Sequence, residues 1–187
     1  MPTGNADINE RHWDIVRRVI VPNDERYPAW LHINKSGTTT MSEVLRRLPG
    51  GVNSFFPHDY PIEREVLCMW RNPFDRIEST YRMYVKERVH GYQHYSWEEF
   101  VRTCCRKKDL KDPHMLPQYE VCTSRYGRFV PDRVLLWDWE AVAQIYGIEP
   151  EVRNHTPGNP QRWPRDLRIE FEERFWLDIH IWNKVPD

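Results

Sequence analysis

The chain has 187 residues, of which 40% are hydrophobic and nine are tryptophan. A chain of this length and composition has enough apolar surface to form a hydrophobic core, which excludes an intrinsically disordered protein. Its formal net charge of -1 provides no overall field that favours nucleic acid or an anionic membrane surface.

Apolar periodicity divides the chain into alternating strands and helices after an N-terminal extension, residues 1–28, with a helix near residues 14–19. The predicted strands are apolar runs at residues 29–33, 52–56, 66–70 and 134–137. The predicted helices cover residues 39–48 and 170–184 and also begin near residues 73, 96 and 139. This alternation predicts an α/β fold in one domain, residues 1–187, with a central parallel sheet flanked by helices. Such folds bind ligands at the carboxyl ends of their strands.

The segment after the first predicted strand combines a lysine, a glycine and several hydroxyl residues. Residues 32–40 read His-Ile-Asn-Lys-Ser-Gly-Thr-Thr-Thr and lead into a predicted helix, whose N-terminus offers unpaired N–H groups to an anion. Gly37 permits close approach of the backbone and Lys35 adds a positive charge. The hydroxyl donors are Ser36, Thr38, Thr39 and Thr40. This pattern predicts a phosphate-binding loop, and a hydroxyl-rich helix start without a ligand is the alternative.

A second pattern typical of an anion-binding loop (an anion-type motif, like residues 32–40) follows the predicted strand at residues 66–70. Arg71 comes directly after the strand, Pro73 suits the first turn of a helix, and Ser79 lies on its second turn. Arg71 can make a forked, charge-assisted contact to phosphate oxygens, and Ser79 can add a hydroxyl donor. A salt bridge at the strand end is the alternative for Arg71. Because both patterns follow strands of one sheet, we expect them at the same edge.

The order Lys-Ser-Gly-Thr-Thr-Thr resembles the 5′-phosphosulfate-binding loop of sulfotransferases, which use 3′-phosphoadenosine 5′-phosphosulfate (PAPS) as sulfuryl donor. It is not a Walker A motif, because the lysine precedes the only glycine of the loop. Arg71 and Ser79 are similar to the family's 3′-phosphate site. Residues 117–122, with Pro-Gln and a cysteine, resemble a segment of the carbohydrate-type branch, and Asp178 resembles an aspartate of the family's last helix.

The resemblance covers residues 30–184 and implies a P-loop-like three-layer fold. It also implies PAPS as donor, 3′-phosphoadenosine 5′-phosphate (PAP) as product, and no metal. The sulfuryl group passes in line to a hydroxyl acceptor, either a small molecule or a saccharide. Lys35 offsets the charge that develops on the leaving phosphate.

A base must take the proton of the acceptor hydroxyl, and in this family it is a histidine or a glutamate, often after the first helix. His58 in that segment is the first choice, because an imidazole titrates near neutral pH. His114, in a polar loop, is the second choice, and Asp59 and Glu63 remain open. His32 is expected to be structural although it belongs to the first motif.

Two other functions compete with this interpretation. A PAPS- or nucleotide-binding module without catalysis would keep both phosphate sites and act in recognition. A P-loop kinase-like phosphotransferase is disfavoured, because the chain lacks a Gly-Lys-Ser/Thr sequence. Magnesium dependence separates the phosphotransferase, since sulfuryl transfer needs no bridging metal.

Patterns that are missing from the sequence indicate the cellular location of the protein and the redox state of its cysteines. No stretch approaches the roughly 18 apolar residues of a membrane-spanning helix, and residues 1–10 lack a signal-peptide core. We expect a cytoplasmic protein without nucleic-acid or membrane partners, with a trimmed anchor as the alternative. The four cysteines match no zinc spacing, and we expect them to be reduced.

Overall fold

The computed structural model of the chain describes residues 18–55, 64–87, 92–106, 112–123, 127–152 and 161–184. Its strands are β1 (Val19–Pro22), β2 (Ala29–Leu31), β3 (Val52–Phe55), β4 (Val66–Trp70) and β5 (Arg133–Leu136). Its α-helices are α1 (Thr38–Arg46), α2 (Pro73–Glu87), α3 (Trp97–Arg106), α4 (Gln118–Cys122), α5 (Trp139–Tyr146), α6 (Arg165–Arg174) and α7 (Trp176–Lys184). A 3₁₀ helix spans Tyr92–His94. The protein is therefore a mixed α/β structure.

The five strands form one mixed sheet in the order β3-β1-β2-β4-β5. Strands β2, β4 and β5 are parallel, whereas β1 pairs antiparallel with both β2 and β3. The prediction of a parallel sheet is thus correct for β2, β4 and β5. It is wrong for the predicted strand at residues 52–56, because β3 pairs antiparallel with β1, a strand that the sequence analysis did not predict. The helix predicted near residues 14–19 is wrong at Val19, where β1 begins, because the run Val-Ile-Val is β-branched and favours a strand.

Two hydrophobic clusters lie on opposite faces of the sheet, as the alternation along β4 shows. Val66, Cys68 and Trp70 belong to the cluster that includes residues of α2, α3, α4 and α6. Leu67 and Met69 belong to the other cluster, with residues of α1 and α5. Because successive side chains of a strand point to opposite faces, helices cover the sheet on both sides. Because β2 and β4 are parallel neighbours, the chain segments that follow them emerge together at one edge of the sheet.

The final helix predicted over residues 170–184 is two helices, α6 and α7, separated at Phe175. The backbone of Phe175 (φ -107°, ψ 18°) leaves the helical region, and its buried ring stacks on Phe171 with centroids 4.2 Å apart. Within the described residues, no helix combines the length and the apolar character needed to cross a membrane. Cys68, Cys104, Cys105 and Cys122 are free thiols.

Candidate functional site

The first motif forms a tight loop between β2 and α1. Lys35 and Gly37 both have left-handed backbones, with φ of 62° and 80°. A Cβ atom at position 37 would overlap the ring of Trp139, so both the backbone and the packing require glycine there. The N–H of Ser36 donates to the carbonyl oxygen of Ile33 at 3.1 Å, which closes the turn. The start of α1 is therefore presented by a constrained loop.

The second motif contacts the first, as the sequence predicts. Arg71 Nη1 donates to the carbonyl oxygen of Lys35 at 3.2 Å, and the guanidinium lies over the ring of Trp137 at 4.9 Å. Burial lowers the pKa of Arg71, but an arginine remains charged because its ordinary pKa is far above neutral. A partly desolvated positive charge thus stands beside the loop, where it attracts an anion more strongly than it would in water.

The remaining residues of the two motifs differ in exposure. Lys35 Nζ lies 3.3 Å from Met83 Sδ on α2, and a thioether is a weak hydrogen-bond acceptor. Thr38 and Ser79 are half-buried, Thr39 is exposed, and Thr40 is buried. Their roles as phosphate ligands stay predictions.

Two buried donors beside the loop lack a partner within the described part of the chain. They are Asn34 Nδ2 in the loop itself and the indole Nε1 of Trp139, whose ring packs against Gly37. Nearly all buried polar groups in proteins are hydrogen-bonded, so these two donors are exceptions among the described residues.

His114 is held by a carboxylate rather than lying free in a polar loop. Asp112 Oδ1 accepts hydrogen bonds from His114 Nδ1 at 3.0 Å and from its backbone N–H at 2.9 Å. The hydroxyl of Tyr84 donates to the other oxygen, Oδ2. A carboxylate only accepts, so the proton of the neutral imidazole sits on Nδ1 and Nε2 keeps its lone pair. Burial raises the pKa of Asp112, but the hydrogen bonds from His114 and Tyr84 outweigh this and lower it overall.

The electrostatics of the site favour the neutral form of His114. Burial lowers the pKa of its imidazole below 6.5, the hydrogen bond and charge of Asp112 partly oppose this, and the charges of Arg76 and Lys35 lower it further. His114 therefore lies within electrostatic range of the loop lysine. A neutral imidazole with an available Nε2 is suited to accept a proton.

Arg76 links the segment around His114 to the first loop, a connection that the sequence analysis missed. Its buried guanidinium donates from Nε to the carbonyl oxygen of Asn34 at 2.9 Å. It also donates to the carbonyl oxygens of Leu116 at 2.7 Å and Pro113 at 2.8 Å. The position of Arg76 on the apolar face of α2 was the available signal, because a buried arginine requires several acceptors. The histidine segment is thereby fixed relative to the loop.

A buried glutamine connects the two loops to each other. Gln118 is fully buried, and its Oε1 accepts from Ser36 Oγ at 2.8 Å and from the N–H of Arg71 at 3.1 Å. Asp178 on α7 accepts from the backbone N–H of Gln118 at 2.6 Å and of Tyr119 at 2.9 Å, at the start of α4. Burial raises the pKa of Asp178 to about 6, although these N–H donors act to lower it.

Several predicted residues are not part of this geometry. His58, Asp59 and Glu63 lie outside the described residues, so His58 stays a prediction. His32 directly follows β2, and its backbone N–H donates to the carbonyl oxygen of Arg18 at 2.9 Å. Burial lowers the pKa of His32 to about 4. A histidine with this pKa stays neutral, and the expectation of a structural role remains.

Comparisons of the chain with protein-family models, with curated proteins and with solved structures give no match. The geometry brings two loops, one with Lys35 and one with Arg71, into contact at the carboxyl ends of the parallel strands β2 and β4. A histidine held by a carboxylate, His114 with Asp112, belongs to the same region.

Replacing Arg71 by alanine is expected to weaken PAP binding by roughly 10- to 100-fold, because a charged hydrogen bond is worth about 1.5–3 kcal/mol. Binding of adenosine 5′-phosphate, which lacks the 3′-phosphate, should change much less. Isothermal titration of both nucleotides measures the difference, with Arg46→Ala on the exposed side of α1 as the matched control. Equal losses for the two nucleotides would remove Arg71 from the 3′-phosphate role.

Proposed function

We propose that this chain is a PAPS-dependent sulfotransferase whose sheet and helices form a P-loop-like three-layer arrangement. The observation that carries this proposal is the contact between the two anion-type loops, in which Arg71 Nη1 lies 3.2 Å from the carbonyl oxygen of Lys35. PAPS carries a phosphate at its 3′ position and a phosphosulfate at its 5′ position. It therefore requires two neighbouring anion sites, which a nucleoside monophosphate does not.

Each motif would hold one end of the donor. The backbone N–H groups at the start of α1, with Lys35, Gly37 and the hydroxyls of residues 38–40, would bind the 5′-phosphosulfate. Arg71 and Ser79 would bind the 3′-phosphate.

In the proposed reaction the acceptor oxygen forms a bond to sulfur while the bond between sulfur and the 5′-phosphate oxygen breaks. The bonding electron pair leaves with PAP, and the hydroxyl proton passes to a base. Lys35 stabilises the negative charge that develops on the departing oxygen. As in phosphoryl transfer, positioning and electrostatics account for most of the rate enhancement.

The network around Asp112 supports His114 as the base of this reaction. Asp112 fixes the tautomer in which Nε2 can accept the proton. A carboxylate that orients a catalytic histidine has the same role in nucleophile–histidine–carboxylate triads. His58, the first choice from sequence, is the competing base. The two assignments are separated by substituting each histidine and comparing the losses of turnover and of PAP affinity.

The acceptor in this proposal is a hydroxyl compound, and a saccharide is the favoured class. An open groove of about 710 Å³ is lined by Tyr92, Tyr95 and Arg102, among others. Tyr92 stacks on Tyr84, the donor to Asp112, with ring centroids 5.4 Å apart. Aromatic faces and charged groups along one groove are suited to sugar rings.

We expect the acidic limb of the pH profile of kcat/KM to lie below pH 6.5, because burial lowers the pKa of His114. The base must be neutral, so activity falls as the pH decreases through this pKa and is full above it. Asp112→Asn should move the limb to lower pH, since Asp112 raises the pKa, and should also lower the plateau. Rates measured from about pH 4 to pH 9 test this, with Asp24→Asn, between β1 and β2, as control. A limb above pH 6.5, or one unaffected by Asp112→Asn, would contradict it.

Transfer of radiolabelled sulfur from PAPS to a panel of hydroxyl acceptors, saccharides included, tests the proposed activity. Product formation without magnesium supports sulfuryl transfer. PAP binding without turnover of any acceptor would favour the non-catalytic module, and magnesium-dependent transfer from ATP would favour the phosphotransferase.

A further inference from the structure

One buried amide is hydrogen-bonded to both anion-type loops. Gln118 Oε1 accepts from Ser36 Oγ at 2.8 Å in the first loop and from the backbone N–H of Arg71 at 3.1 Å in the second. Its Nε2 donates to the carbonyl oxygen of Arg71 at 2.9 Å. The side chain is fully buried, so water does not compete with these bonds.

The backbone that carries this amide is held by Asp178, a residue of the last helix, α7. Gln118 is the first residue of α4, and the residue before it, Pro117, provides no side-chain cap. The carboxylate of Asp178 takes that place by accepting from the backbone N–H groups of Gln118 and Tyr119. A capped helix start holds the amide in one orientation.

The bond to Gln118 also defines what Ser36 can do. A serine hydroxyl has one hydrogen, and that of Ser36 is directed to Gln118 Oε1. Its backbone N–H is used as well, because it donates to the carbonyl oxygen of Ile33. Ser36 is 2% exposed. The residue is thus arranged to anchor the loop rather than to donate to a phosphate.

We propose that Gln118 is a specificity-determining positioning residue: it fixes the separation of the two loops, so that nucleotides with phosphates at both the 3′ and 5′ positions are preferred over nucleoside monophosphates. This inference rests on the proposed PAPS site. A ligand that spans two rigid loops gains its second contact without an ordering cost. If the loops move independently, the binding free energy of a bisphosphate includes the entropic cost of ordering both loops. A monophosphate bound to one loop does not incur that cost.

The test compares PAP with adenosine 5′-phosphate by isothermal titration. Gln118→Met keeps the length of the side chain and removes its three hydrogen bonds, and Gln144→Met on the exposed face of α5 is the control. We expect Gln118→Met to weaken PAP about tenfold or more, and adenosine 5′-phosphate less than about threefold. Equal changes for the two nucleotides, or none for PAP, would overturn the inference.

Ser36→Ala provides the same test if Gln118→Met fails to fold, because it removes one hydrogen bond and leaves no large cavity. A selective loss of PAP affinity supports positioning, whereas equal losses identify Ser36 as a direct phosphate ligand and overturn it. Failure of the wild-type protein to bind PAP would overturn the proposed function and this inference together. PAP binding by the wild type that both variants retain would overturn the inference alone.

Discussion

Replacing Lys35 by alanine is expected to lower kcat by about 100- to 1,000-fold, the usual effect of removing one group that stabilises transition-state charge. The lysine lies in the loop that precedes α1, and its ammonium contacts Met83 Sδ, a weakly accepting thioether. In the proposed reaction its charge stabilises the departing phosphate oxygen. PAP binding should remain measurable, because the N–H groups of α1 and the side chain of Arg71 are unchanged.

The control for this substitution is Lys184→Ala, which removes an exposed lysine at the end of α7. Single-turnover rates with PAPS and titrations with PAP separate chemistry from binding. A variant that loses PAP affinity and keeps its single-turnover rate would assign Lys35 to binding alone. Full activity in Lys35→Ala would remove the loop from the reaction altogether.

Replacing His114 by alanine is expected to lower kcat by about 100- to 10,000-fold, because general base catalysis typically contributes this much. The expectation rests on the bond between His114 Nδ1 and Asp112 Oδ1, which leaves Nε2 as the acceptor. PAP affinity should be unchanged, since the histidine would face the acceptor hydroxyl rather than the nucleotide phosphates.

His94→Ala, at an exposed position of the 3₁₀ helix, is the matched control for His114→Ala. Measurement of kcat and of PAP affinity for both variants and for His58→Ala decides between the two candidate bases. Loss of turnover in His58→Ala with full turnover in His114→Ala would refute the assignment of His114.

The sequence was sufficient to predict the elements that depend on local patterns. Strand β4 occupies the predicted residues 66–70, because its five apolar residues are buried on both faces of the sheet. The helix that follows the first motif begins at Thr38, one residue before its predicted start. The two anion-type motifs follow parallel neighbours, β2 and β4, and their predicted proximity is confirmed by the contact between Arg71 and Lys35.

The features that were missed depend on contacts between residues far apart in the chain. Asp178 caps a helix that starts 60 residues earlier, and Tyr84 donates to a carboxylate 28 residues away. No periodicity or local motif indicates such partners. Asp112 was closer to being predictable, because it precedes His114 by two residues and a turn brings the pair together. Strand β1 was missed because Val19 was read as the end of a helix and residues 20–22 were assigned to the N-terminal extension.

Titration of the protein with PAP, and with ATP in parallel, both without magnesium, tests the proposed donor site most directly. The sulfotransferase proposal predicts micromolar or tighter binding of PAP and little binding of ATP. Absence of PAP binding, or a preference for ATP that appears with magnesium, would contradict it and favour a phosphotransferase.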